Sequence, residues 1–270
     1  MIVARPAPGS LLFVTQPDHA RFAGELLSLW RTEGLPGHPR RAEILFAARE
    51  HDNGWREADS APRWDRERGR PHDFVSMPRP DRIEIWERGT ARFAGEHPYA
   101  TLLIVRHALQ LHQDRFRQAD EAEGEVWAGF QEYLEELQRG LLEALEATAA
   151  AGTAPEEVRA EVEADYRWID LTDLISLAVC NRWTEPFARH GMRGGLAGLP
   201  AIAEPLRLAL DPFPLAGATT FRIPCRRIAD RPYAGDADLA VELARTRWEE
   251  MEVKVVGPEF FGTESFSVGL

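Results

Sequence analysis

The run Trp168-Ile169-Asp170-Leu171-Thr172-Asp173-Leu174-Ile175-Ser176-Leu177-Ala178-Val179-Cys180 constrains this chain more than any other stretch. It is helical by length and apolar on nearly every side, which predicts a helix sunk inside the protein. Asp173 shares a face with Ile169, Leu177 and Cys180. A carboxylate in apolar surroundings is costly unless it is paired or bound to a metal. The chain must therefore pack other helices around this one and bring positive charge to Asp173. With 270 residues, 44% of them hydrophobic, it can bury one sizeable core.

The rest of the sequence supplies those helices. Ile2–Arg5 and Leu11–Val14 are β-prone runs separated by Pro and Gly, a hairpin pattern. Thr15, with Asp18 three residues on, resembles a capping box before a helix from about Pro17 to Arg31. His19 lies on that helix's apolar face with Phe22, Ala23, Leu26 and Trp30. A second helix runs from about Pro39 to Asp52, where His51 continues the face of Ile44, Ala47 and Ala48, and Asn53-Gly54 ends it. From Arg56 to Pro80 no period is sustained, and a stretch so placed reads as a lid. Helices follow over about 81–93, 98–117 and 125–147. On the middle one, Ala100, Leu103, Ile104, His107 and Leu111 share a face, with Arg106 off it. Pro155 opens another helix. After Gly191 the chain is Pro/Gly-rich to about Pro214. Thr219–Pro224 and Met251–Val256 look like strands flanking a helix from Asp236 to Trp248. We therefore expect a single mainly α domain over 1–257, its small sheet built from the N-terminal hairpin and the C-terminal strands, and a loose tail over 258–270.

Three histidines, His19, His51 and His107, thus sit on the buried stripes of three different helices, and Asp173 on a fourth. A lone histidine on such a face is usually a satisfied core residue. The joint pattern is what a cation held between facing helices requires. An arginine is the other partner open to Asp173, and Arg106 or Arg182 could supply it.

The order His19, adjacent His51-Asp52, distant Asp173 is similar to the HD superfamily of metal-dependent phosphohydrolases, and His51-Asp52-Asn53-Gly54 matches its His-Asp-x-Gly form. The likeness covers roughly Gln16 to Cys180. It implies an HD-like all-α core holding a divalent metal (Mn, Mg, Fe, Ni or Zn) as one or two ions. Asp52 would bridge to a second ion where further histidines are present, and by position His107 and His97 would be those. The HD signature often has a lysine after the glycine, where this chain has Trp55. Gln16-Pro17-Asp18-His19-Ala20, His51–Trp55 and Asp173–Leu177 also resemble an uncharacterised bacterial domain-of-unknown-function family, a likeness covering most of the chain.

Such a metal lowers the pKa of bound water to about 7 and makes it a nucleophile for hydrolysis. Asp52 serves as bridging ligand or base. A phosphate ester also needs cations for its non-bridging oxygens, and Arg56, Arg106 and Arg182 are nearest the ligands in sequence. The resemblance implies a small, phosphorylated substrate. Two alternatives stand beside the hydrolase. A di-iron oxygenase would need five or six protein ligands, which makes His97 decisive. A metal-stabilised helical binding domain would need no open cleft to the metal.

The formal charge of −12 speaks against nucleic acid and anionic membrane surfaces as partners. No run reaches the roughly 18 apolar residues of a membrane span. Two cysteines, Cys180 and Cys225, fit no ligand spacing, and a reduced cytoplasmic setting is the simplest expectation.

Overall fold

The N-terminal hairpin forms as its two β-prone runs and the Pro and Gly between them predict: β1 (Ile2–Ala7) pairs antiparallel with β2 (Ser10–Val14). A computed structural model describes residues 1–118, 121–148, 155–196 and 205–260. After β2 come α1 (Gln16–Ser28), α2 (Arg41–Glu50) and the short α3 (Arg56–Ser60), then a two-stranded ribbon of β3 (Trp64–Asp65) and β4 (Arg70–Pro71). Four longer helices follow: α4 (Arg79–Ala91), α5 (Pro98–Gln118), α6 (Glu121–Thr148) and α7 (Pro155–Cys180). The chain then turns to strands β5 (Phe187–Arg189), β6 (Met192–Leu196), β7 (Leu206–Asp211) and β8 (Thr219–Ala229), with α8 (Asp236–Arg245) leading into β9 (Glu249–Val256).

Seven of these strands make one curled, half-barrel sheet in the order β1-β2-β8-β9-β7-β6-β5. Only β7 and β9 pair in parallel. With 54% helix and 20% strand the protein is an α/β fold, which overturns the expected mainly α, HD-like helical core with a small sheet. The terminal strands do join the N-terminal hairpin, through β2 and β8. The error lies in β6 and β7, which occupy the stretch read as Pro/Gly-rich, and in β5 just before it. Gly194 explains part of it: a Cβ there would come within 2.3 Å of the Phe187 ring, so the strand needs a residue that pattern-reading counts as a breaker.

Alternation along β2 puts its two faces into two cores. Leu12 and Val14 join the main core with the helices, and Leu11 and Phe13 join a smaller one under α8 with Trp64, Ile228 and Leu239. The main core runs through sheet and helices alike. Phe22 of α1 meets Phe221 of β8 edge-on at 5.4 Å, and Trp30 meets Trp168 of α7 at 5.7 Å. The apolar run that opened the sequence is the C-terminal half of α7, a 26-residue helix. Ile169, Ile175, Ala178, Val179 and Cys180 are all essentially inaccessible.

The segment expected as a lid carries α3 and the β3–β4 ribbon, and Phe74 and Val75 near its end reach the cavity described below. Of the expected tail, Pro258–Phe260 forms one helical turn and 261–270 lies outside the described residues. No described helix is long and apolar enough to cross a membrane.

Candidate metal centre

Two close backbone approaches bring the site together. A Cβ at Gly24 would lie 2.9 Å from the Arg49 Cβ, so α1 and α2 cross with almost nothing between them. That crossing sets the rings of His19 and His51 edge-to-face at 5.0 Å. A Cβ at Gly54 would lie 3.0 Å from the Gly89 Cα and 2.0 Å from the Ile85 carbonyl oxygen. The turn after His51-Asp52 is thereby pressed onto α4. Asn53 Nδ2 clamps it, donating to the carbonyls of Glu50 at 2.8 Å and Gly89 at 3.0 Å. Asn53-Gly54 was read as a helix cap, and its further task is to hold α4 against the site.

His19, His51 and Asp173 are all buried, and each presents a ligand atom within 4.8 Å of the others. Asp52 completes the group, with its Oδ2 2.8 Å from His19 Nε2 and 3.7 Å from His51 Nε2. Asp173 Oδ1 lies 3.2 Å from His51 Nε2 and 3.9 Å from His19 Nδ1. The partners of Asp173 are therefore histidines, not an arginine. His107 adjoins them, its ring 5.1 Å from that of His51 and its Nε2 3.8 Å from Asp173 Oδ2.

Hydrogen bonds fix which nitrogen each histidine offers. His51 Nδ1 donates to the Ala48 carbonyl at 2.9 Å, which leaves Nε2 with its lone pair facing the carboxylates. That buried Nε2 makes no hydrogen bond, although Asp173 Oδ1 lies 3.2 Å away. Ser176 Oγ donates to the Asp173 carbonyl at 2.8 Å, so at 2.8 Å it accepts from His19 Nδ1. His19 Nε2 and Asp52 Oδ2 then face each other as two acceptors. Only a proton or a cation between acceptors makes such a contact favourable.

The electrostatics agree. Burial alone would lower the His51 pKa, but the carboxylates of Asp52 and Asp173 push it up to about 9. Burial alone would raise both carboxyls, but His51 and its neighbours hold Asp52 and Asp173 below the usual range. A field that favours a proton there favours a metal ion equally. His107 behaves differently: burial pushes it down to about 4, which keeps its ring neutral. Its Nδ1 lies 3.1 Å from the Tyr166 hydroxyl. The donor set, imidazole and carboxylate oxygen with an orphaned nitrogen at its centre, fits a divalent transition metal.

Four residues expected at the site lie elsewhere. His97 precedes α5 and packs its ring on Phe46 at 3.9 Å, roughly 15 Å along the helix from His107. Arg56 is paired with Glu50, and Arg106 donates to Glu163 at 2.6 Å while lying over the Tyr166 ring. Arg182, buried past the end of α7, does not line the cavity at the centre. That cavity, about 170 Å³, is lined by Asp52, His107 and Asp173 from the group. The arginines that reach it are Arg82 of α4 and Arg115 of α5. Sequence reading missed both. For Arg115 the trace was present: His107, Leu111 and Arg115 form one i, i+4, i+8 ridge.

Fold and centre together define an α/β protein with a buried His/Asp group able to hold a metal ion, open to a small cavity. The chain belongs to the family described as Protein of unknown function (DUF3891), whose model matches residues 1–230. No curated protein and no solved structure matches it. The resemblance to a domain-of-unknown-function family is thus borne out, while the HD likeness rests on the residue pattern alone.

Proposed function

We propose that the chain is a metal-dependent hydrolase of a small phosphate ester, with His19, His51, Asp52 and Asp173 holding a divalent cation and His107 available to a second. The observation that carries this reading is the cavity: Asp52, His107 and Asp173 face a space that a substrate can enter. A purely structural metal site is closed. The ligand order similar to the HD pattern supports the same reading.

When bound, a divalent cation supplies Lewis-acid polarisation and water activation. The chain's own residues do the rest. His51 is held in one tautomer by Ala48, and Ser176 orients His19 from behind. Asp52 faces the cation's position through Oδ2, 2.8 Å from His19 Nε2, and its carboxylate also lines the cavity, where it can accept a proton. Trp55, Phe74 and Trp86 wall the cavity and limit the access of bulk water. His97 lies among phenylalanines, which leaves an oxygenase the five residues His19, His51, Asp52, His107 and Asp173, the lower end of what that reading requires.

The test is elemental analysis of the purified protein with a phosphatase assay on small aryl and alkyl phosphates. Stoichiometric Mn, Mg, Ni or Zn with metal-dependent phosphate release is the expected result. Turnover that survives complete chelation overturns it.

A further inference from the structure

Besides Asp52, His107 and Asp173, the cavity is lined by three strong hydrogen-bond donors, Arg82, Arg115 and Trp55. Arg82 is 7% exposed, and its Nη2 is spent on two backbone carbonyls, Val75 at 2.6 Å and Met77 at 3.0 Å. Its Nε, buried, has no partner. Among the described residues no carboxylate lies within ion-pair distance of Arg82 or Arg115. Asp73, the acid that acts on Arg82 through space, is engaged by Ser76 and Arg70. The two guanidiniums repel each other, and with burial this draws Arg82 down to about 10. Trp55 is 3% exposed and its indole Nε1, also buried and without a partner, belongs to the same cavity. Like charges kept together without a counter-charge, beside a second orphaned donor, call for an acceptor-rich anion.

Apart from Gln16, whose buried Oε1 has no partner, and the His112 ring, the remaining lining is apolar or aromatic. Trp86, one turn after Arg82, stands with its ring 6.0 Å from His107 and 5.5 Å from His112. Phe74 and Leu111 continue the surface. A space of about 170 Å³ is below the range that encloses drug-sized ligands, which sets a limit on the body of the molecule.

We infer that Arg82, Arg115 and Trp55 form an oxyanion-recognition subsite, and that the ligand is a small oxyanion carrying an aromatic or compact apolar body. Its link to hydrolysis rests on the metal-dependent reading above, whereas the binding itself does not. Arg82 is the buried anchor, Arg115 the exposed second charge at the mouth, and Trp86 with Phe74 the wall for the apolar body. The ligand's oxyanion neutralises both guanidiniums and occupies the Trp55 N–H.

The experiment is calorimetric titration of the full-length protein with phenylphosphonate and methylphosphonate, neither of them hydrolysable as an ester. Wild type, Arg115→Gln, Arg82→Lys and Asp173→Asn are compared, with metal content measured on each. Phenylphosphonate should bind about tenfold more tightly than methylphosphonate, and Arg115→Gln should weaken it about tenfold. Arg115 is exposed, so that variant keeps the fold even where Arg82→Lys does not. Unchanged affinity in Arg115→Gln, or no preference for the phenyl body, overturns the inference. A native protein that holds metal but shows no Arg115 dependence refutes the subsite and spares the metal centre. Arg115-dependent binding by a protein without metal does the reverse. Binding that persists in a metal-depleted Asp173→Asn supports the subsite as a separate element.

Discussion

Gly54 and Gly89 meet backbone to backbone, and no side chain fits between them: a methyl group at Gly54 would stand 2.0 Å from the Ile85 carbonyl oxygen. The contact is unrelieved by rotamer change because both neighbours are main chain. We expect Gly54→Ala to cost roughly 3 kcal/mol and to lower the melting temperature by about 8 °C. Gly140, on α6 with open space around its Cβ direction, should behave oppositely, and Gly140→Ala should gain roughly 0.5–1 kcal/mol. Thermal unfolding of the two variants checks both signs.

Metal retention separates the residues that the fold gathers from those it does not. Asp52→Ala and Asp173→Asn should emerge from purification without stoichiometric metal, because each removes one of the negative charges facing the two histidines. His97→Ala should retain it in full, since that ring contacts Phe46 and Phe93 instead. Elemental analysis of the three proteins decides; a metal-replete Asp52→Ala protein would remove Asp52 from the centre.

Ser176 does not line the cavity at the centre, yet it sets the tautomer of His19 through its 2.8 Å contact with Nδ1. Ser176→Ala should therefore weaken metal affinity by about 10- to 100-fold while leaving the melting temperature of the metal-free protein within a few degrees. Competition against a chelator of known affinity measures the first, and calorimetry the second. An unchanged affinity would mean that His19 is oriented by packing alone.

His112 gives the protein an acid sensitivity independent of the metal. It lies between Trp86, Trp127 and Phe130, and burial pushes its pKa down to about 4 from the ordinary 6.5. Between those values the unfolded chain binds a proton that the native ring refuses. Stability is thus fully present above about pH 6.5 and falls as pH drops toward about 4, by at most roughly 3 kcal/mol. Urea unfolding between about pH 7 and about pH 4.5 should show a shallower decline in His112→Phe than in wild type. Equal slopes would show that the burial of this ring carries no such cost.

The metal group was legible because its residues obey local rules. His19, His51, His107 and Asp173 each fall on an apolar helix stripe, and 3.6-residue periodicity finds stripes. The longer helices, α1, α2 and α4 to α7, were legible as well, whereas the short α3 fell in the stretch where no period is sustained. The half-barrel did not, since β6 contains Gly194 and Gly195 and β7 is a buried run, Leu206–Asp211, without clear alternation. The cations of the cavity were misassigned for a related reason. Arg56 and Arg106 were chosen by nearness in sequence, and both are consumed by acidic neighbours. Arg82 reaches the cavity only because Gly54 and Gly89 draw α4 inward, a long-range fact with no local periodicity.

The candidate ligands come from α1, from the turn after α2 and from the C-terminal half of the last long helix, so no contiguous fragment of the chain owns the centre. A cation that binds there recognises only molecules in which the α1–α2 crossing and the docking of α7 are both complete. A metal bound there would therefore act as a census of correctly assembled chains, to which nascent, clipped or misregistered copies are invisible. Metal supply and the abundance of the native protein are then two readings of one equilibrium.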